Sequence, residues 1–171
     1  SERTEIAKGI TLSSTGYRSG QGNPCFSIAD CGEGQTPRMM PLTFLSLTKK
    51  SNKLKIPFVQ GKFNMGGTGV LTFCGHHNLQ FILSRRNPKL VAMNPQDQSD
   101  YDWGFTVVRR IDPDGKRRNS MYVYLAPEGC DVLPGRGSVL HFGAMSMPIF
   151  PEDNKPYVRE ATWGSIIKLY E

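Results

Sequence analysis

The chain has 171 residues, a length that fits one domain with one hydrophobic core. Its hydrophobic share of 38% excludes a disordered chain, and its 18 glycines and 12 prolines predict a globule rich in loops. The formal net charge is +6, and no apolar stretch is long enough to cross a membrane. We therefore expect a single soluble domain over residues 1–171, cytoplasmic and with no membrane partner.

The positive charge is concentrated in one part of the chain. Residues 35–96 contain no Asp or Glu, but they contain nine basic residues: Arg38, Lys49, Lys50, Lys53, Lys55, Lys62, Arg85, Arg86 and Lys89. Such a stretch suits an anionic ligand, either a nucleotide phosphate or a nucleic-acid backbone. A solvated lysine-rich loop has the same composition, so charge alone leaves these interpretations open.

The first half of the chain begins with a predicted strand pair. Short strands are expected at Ile10–Ser14 and Cys25–Ala29, joined by a glycine-rich loop. A short helix is predicted from Pro37 to about Leu47. Residues 48–62 contain five lysines and little periodicity, which indicates a mobile loop. An apolar helix is then predicted to begin at Val70 and to be capped by Gly75.

The second half is predicted to consist mainly of strands. Residues rich in β-branched and aromatic side chains predict strands at 79–84, 103–111, 120–125, 139–142 and 165–170. A turn sequence at 112–115 predicts a hairpin, and polar composition predicts a loop over 87–101. These elements together predict an α/β two-layer sandwich, a mostly antiparallel sheet with helices on one face.

A D-x-G-x-G motif follows the second predicted strand, with Asp30, Gly32 and Gly34 at its fixed positions. The two glycines allow a tight bend and a close approach of backbone N–H groups to a ligand. A carboxylate at a strand end can accept a hydrogen bond from an exocyclic amine such as that of adenine. A purely structural Asp-Gly turn has the same sequence, so this motif alone leaves both interpretations open.

A second glycine-rich segment, residues 61–69, precedes the predicted helix at Val70. Its candidate binding residues are Lys62, Asn64, Gly66, Gly67, Thr68 and Gly69. A helix N-terminus behind a glycine loop favours phosphate because its free N–H groups and its dipole both attract an anion. A flexible hinge is the alternative interpretation.

The order of these two segments resembles the GHKL ATPase superfamily of gyrases, heat-shock chaperones, sensor histidine kinases and mismatch-repair ATPases. The matching residues are Asp30, Gly32 and Gly34 in the first motif, Gly67 and Gly69 in the phosphate loop, and Gly164 and Ser165 near the last strand. The resemblance implies a Bergerat-like ATP-binding fold in which Asp30 receives the adenine amine. It also implies that Ser165 helps to hold that carboxylate and an adenine-bound water, and that residues 48–62 form a lid.

One part of the family pattern is absent from this sequence. The family carries a water-activating Glu and a magnesium-ligating Asn on a helix before the first motif, whereas residues 1–9 contain no E-x-x-x-N and are expected to be frayed. The resemblance implies ATP and Mg²⁺ as cofactors and other domains of a larger ATPase as partners. We expect a fragment or a degenerate binder, without ATPase activity on its own.

The remaining candidates give weaker signals. Adjacent His76 and His77 would point to opposite faces of a strand, so no metal site is predicted. The four cysteines form no C-x-x-C pair and are expected to be free thiols in a reducing compartment. The rival function is a nucleic-acid-binding or interaction module that uses residues 35–96, although Phe58 is the only aromatic residue in the lysine loop.

Overall fold

A computed structural model describes residues 2–15, 25–46, 70–75, 77–128, 139–148 and 160–170. Most of the described strands belong to one seven-stranded sheet, and two short ones form a separate pair. The strands are β1 (Ile10–Thr15), β2 (Cys25–Asp30), β3 (Leu79–Arg85), β4 (Trp103–Ile111), β5 (Met121–Tyr124), β6 (Leu140–Phe142), β7 (Met147–Pro148), β8 (Glu160–Ala161) and β9 (Gly164–Leu169).

The strand order of the large sheet is β1-β2-β9-β3-β4-β5, and β6 also pairs with β4. All of these pairings are antiparallel. The predicted mostly antiparallel sheet with few helices is therefore confirmed, as is the β4–β5 hairpin. Each strand predicted from sequence is found within one residue at either end, whereas β7 and β8 were not predicted. The last strand, β9, lies between β2 and β3.

Five short helices are described: α1 (Glu2–Lys8), α2 (Pro88–Met93), and 3-10 helices at Pro37–Leu42, Val70–Phe73 and Gln98–Tyr101. The expectation of a frayed N-terminus was wrong, because residues 2–8 form α1. The prediction of a helix from Pro37 to about Leu47 was wrong in its length and type, because the structure has a 3-10 helix that ends at Leu42. This helix contains Pro41, which has no N–H to donate and so disfavours a longer regular helix. No helix in the described part of the chain has the length and hydrophobicity that a membrane crossing needs.

The predicted loop over residues 87–101 was also wrong, because local caps outweigh its polar composition. The Asn87 side chain accepts the Lys89 N–H, and Pro88 occupies the first helical position of α2. Asp97 and Asp100 then form a reciprocal capping box at the next 3-10 helix.

The sheet has two faces, each with its own apolar cluster. Ile28, Ile167 and Ile82 lie opposite one another on β2, β9 and β3, so they share a face, and Asp30 lies on it two residues beyond Ile28. We call this the Asp30 face; its core consists of Met40, Leu71, Cys74, Ile82, Val108 and Val139. The opposite face, here the Phe105 face, has a core of Ala29, Leu83, Trp103, Ala161 and Ile166.

Candidate functional site

Asp30 is the last residue of β2, and its carboxylate is half-buried. Its Oδ1 atom accepts a hydrogen bond of 2.8 Å from the Gly32 N–H. No hydrogen bond or ion pair joins its Oδ2 atom to another described residue. One carboxylate oxygen is therefore fixed by the turn, and the other is available to accept a hydrogen bond.

Gly34 is required by the shape of this turn. Its φ is +64°, in the left-handed region that glycine occupies at little cost. A Cβ at this position would overlap the carbonyl oxygen of Arg85, so a side chain here would separate the turn from β3. At Gly32 a Cβ would instead meet the Asp30 carboxylate at 2.7 Å, which would displace the Oδ1 atom that the turn holds. Gly34 therefore allows the turn to lie against β3, and Gly32 leaves room for the Oδ1 atom of Asp30.

Ser84 links the turn to β3 and β9 through hydrogen bonds. Its buried hydroxyl donates to the Gly164 carbonyl at 2.9 Å and accepts the Gln35 N–H at 3.0 Å. Ser165 Oγ lies 3.0 Å from Ser84 Oγ, and because the single Ser84 proton is already used, the Ser165 hydroxyl is the donor in this pair. Ser84 is thus fully hydrogen-bonded in a buried place, which fixes the turn relative to both β3 and β9.

Ser165 lies directly opposite Asp30 across β2 and β9, and directly opposite Ser84 across β9 and β3. These three polar side chains therefore form one row on the Asp30 face. The hydroxyl of Ser165 bonds to Ser84 and not to the Asp30 carboxylate, so it reaches the turn through Ser84. Its oxygen keeps the capacity to accept a further hydrogen bond.

Residues just after β3 hold the outer side of the turn. Arg86 donates through Nη1 to the Glu33 carboxylate at 2.9 Å and to the Gly34 carbonyl at 3.0 Å. The Asn87 N–H donates to the Glu33 carbonyl at 2.8 Å. The sequence analysis did not single out Ser84, Arg86 or Asn87 as site residues. A serine directly after the apolar run 81–83 was the available signal for Ser84, which is buried here.

The segment that follows the second glycine-rich loop lies on the same side of the sheet as Asp30. Leu71, in the 3-10 helix Val70–Phe73, is fully buried in the cluster that contains Ile82. Ile82 is on the Asp30 face, so this short helix covers that face. Gly75 ends it with a φ of +49°, as the sequence predicted, but the helix is a single 3-10 turn and not a longer apolar helix.

Several predicted site residues lie outside the described residues. They are Lys62, Asn64, Gly66, Gly67, Thr68 and Gly69, together with the proposed lid at 48–62. Their predicted contacts with phosphate stay predictions. Asp30, Gly32, Gly34 and Ser165 are the predicted site residues that the structure brings together.

The thiol of Cys31 is inside the turn but is poorly suited to nucleophilic chemistry. Burial, and secondarily the neighbouring Asp30 carboxylate, raise the pKa of Cys31, which keeps it protonated at neutral pH. Cys25, Cys31 and Cys74 are free, as expected, and Cys130 lies outside the described residues.

Part of the basic stretch at 35–96 serves the fold itself. Arg38 forms a salt bridge of 3.3 Å with the buried Asp100, and Arg86 binds Glu33. Arg85 donates to the carbonyls of Tyr101, Met145 and Thr162, which ties three segments to the end of β3. These three arginines are therefore occupied by protein acceptors, which weakens the case for a nucleic-acid surface built on the stretch.

Comparisons with protein-family models, with curated proteins and with solved structures found no match to this chain.

Proposed function

We propose that this chain is an adenine-nucleotide-binding domain of the GHKL type, with a Bergerat-like fold and ATP as its ligand. The exocyclic amine of adenine would donate to Oδ2 of Asp30. The phosphates would lie on residues 61–69, close to the start of the 3-10 helix Val70–Phe73.

The free Oδ2 atom of Asp30 is the strongest support for this function. Asp30 is half-buried, and its Oδ2 atom has no protein partner among the described residues, so it can accept a hydrogen bond from a ligand. The carboxylate is also preorganised, because Gly32 fixes Oδ1 and Ser84 anchors the turn to β3 and β9. A rigid acceptor of this kind discriminates by hydrogen-bond pattern, since guanine presents a carbonyl where adenine presents an amine.

The 3-10 helix Val70–Phe73 adds support. It directly follows the second glycine-rich segment in the sequence, and it packs on the face that carries Asp30. Adenine at Asp30 and phosphates near Val70 would therefore share one face of the sheet.

Magnesium has no comparable support in the described residues. They contain no group of three or more His, Cys, Asp or Glu side chains arranged to hold a metal ion. We assign no step to magnesium, and the function that we propose is nucleotide binding.

Calorimetric titration with ATP and GTP tests the proposal. The Asp30→Asn variant keeps an acceptor for the Gly32 N–H but replaces the free oxygen with a donor. We expect it to lose ~1.5–3 kcal/mol of ATP binding, roughly a tenfold to hundredfold rise in Kd. Wild-type protein should prefer ATP to GTP, and equal affinities would refute the role of Asp30.

Glu33→Gln is the matched control, because it removes a carboxylate from the same turn while its partner is Arg86. It should leave ATP affinity nearly unchanged. A single-stranded oligonucleotide serves as the competing ligand. If its binding were tighter than that of ATP, fell steeply as salt rose, and ignored Asp30→Asn, the basic stretch would instead be a nucleic-acid surface.

A further inference from the structure

The Phe105 face carries a cavity of about 470 Å³, on the side of the sheet opposite Asp30. Its apolar wall comes from five strands and includes Phe81, Leu83, Phe105, Phe142, Met147 and Ile166. The Phe105 ring centre lies 6.4 Å from that of Phe81 and 5.7 Å from that of Phe142. All three rings are only half-buried, so an apolar ligand could cover them further.

The other end of the cavity is polar, and the strand register explains why. Ser13 lies opposite Ser27, Ser27 opposite Lys168, and Lys168 opposite Phe81. One row of side chains therefore runs from two hydroxyls, through an ammonium group, to a phenyl ring. Tyr170 completes the polar end, and its ring centre lies 4.9 Å from Lys168 Nζ.

Lys168 is the only charged side chain among the described residues that line this cavity. No ion pair in the described part of the chain includes Lys168, and its ammonium group lies over the Tyr170 ring. A half-buried ammonium group without a carboxylate partner, next to hydroxyl donors, favours an anion. The apolar wall next to it favours a hydrocarbon group.

We propose that this cavity binds a small amphipathic carboxylate. Its carboxylate would contact Lys168 and the neighbouring hydroxyls, and its aliphatic or aromatic part would lie on the three phenyl rings. The volume is within the range of about 300–1,000 Å³ that is typical of small-molecule sites. A polyanion such as a nucleotide fits poorly, because its remaining charges would be pressed against the apolar wall.

Decanoate is a suitable probe, with decanol as its neutral analogue and decylammonium as its cationic analogue. Lys168→Gln removes the charge while keeping a long polar side chain, and Lys89→Gln is the matched control at an exposed lysine on α2. By calorimetry, decanoate should bind Lys168→Gln at least about tenfold more weakly than it binds wild type and Lys89→Gln. Decanol should bind both lysine variants equally, and decylammonium should bind more weakly than decanoate.

A second variant tests the position of the apolar group. Met147→Trp should fill part of the cavity and weaken decanoate and decanol alike, with an unchanged circular dichroism spectrum. Absence of decanoate binding to the wild-type chain, or equal decanoate affinity in Lys168→Gln, would overturn the proposal. Asp30→Asn should leave decanoate affinity unchanged, so failure of ATP binding and failure of this site are separate results.

Discussion

The Asp30 turn and the Phe105-face cavity lie on opposite faces of the same strands, and different forces shape them. At the turn, hydrogen bonds of 2.8–3.0 Å from Gly32, Gln35 and Ser84 fix individual atoms. In the cavity, packed rings fix a volume and leave the exact placement of a ligand to van der Waals contact. Single-atom changes should therefore matter most at the turn, and changes of volume should matter most in the cavity.

Gly34→Ala should have the largest effect, because its Cβ meets backbone that cannot rotate away. The positive φ and the overlap with the Arg85 carbonyl should together cost about 3 kcal/mol or more of unfolding free energy. Urea denaturation measures the loss. Gly115→Ala is the control, because a Cβ there meets nothing within 4 Å. Equal stability of the two variants would show that the turn is not held against β3.

Ser84→Ala should have the next largest effect. It leaves the Gln35 N–H, the Gly164 carbonyl and the Ser165 hydroxyl without their partner, at a cost of about 2–3 kcal/mol. Ser165→Ala removes one bond of this group and should cost about 1 kcal/mol. Thermal unfolding gives both values, and hydrogen exchange at the Gln35 amide should accelerate in Ser84→Ala. A larger loss for Ser165→Ala would contradict the central role of Ser84.

Phe105→Leu should lower the stability of the protein without changing its ATP affinity. The variant loses ring contacts with Phe81 and Phe142, which should cost about 1–2 kcal/mol of unfolding free energy. The change is on the face opposite Asp30, so ATP affinity should stay at the wild-type value. Unfolding and calorimetric titration of the same sample would check both statements. A parallel loss of ATP binding would mean that the two faces are coupled.

The smallest expected effect concerns the Cys31 thiol. Its raised pKa means that little thiolate is present at neutral pH, so alkylation by iodoacetamide should be slower than that of an unstructured peptide cysteine. Asp30→Asn removes the smaller of the two causes of the raised Cys31 pKa. The pH at which alkylation of Cys31 accelerates should therefore fall modestly. Mass spectrometry of the Cys31 peptide over a pH series would measure the shift, and an unchanged profile would exclude electrostatic contact with Asp30.

Local sequence patterns predicted the strands of the large sheet well. Trp103–Ile111 and Met121–Tyr124 are rich in β-branched and aromatic residues, and the turn between them was visible as Asp-Pro-Asp-Gly. The same kind of reasoning failed at residues 87–101, where two short helices depend on caps at Asn87 and Asp97. The average polarity of the segment could not predict these caps, because each cap depends on a single side chain that accepts one backbone N–H.

By itself the sequence determined the strands and the place of the glycine turn, since strand propensity and glycine chemistry act between neighbours in the chain. Only the tertiary structure decided that β9 lies between β2 and β3. That placement puts Ser165 beside both Asp30 and Ser84 on one face, and Lys168 between Ser27 and Phe81 on the other. Pairing between strands far apart in the chain depends on how the whole core packs, and no local pattern contains that information.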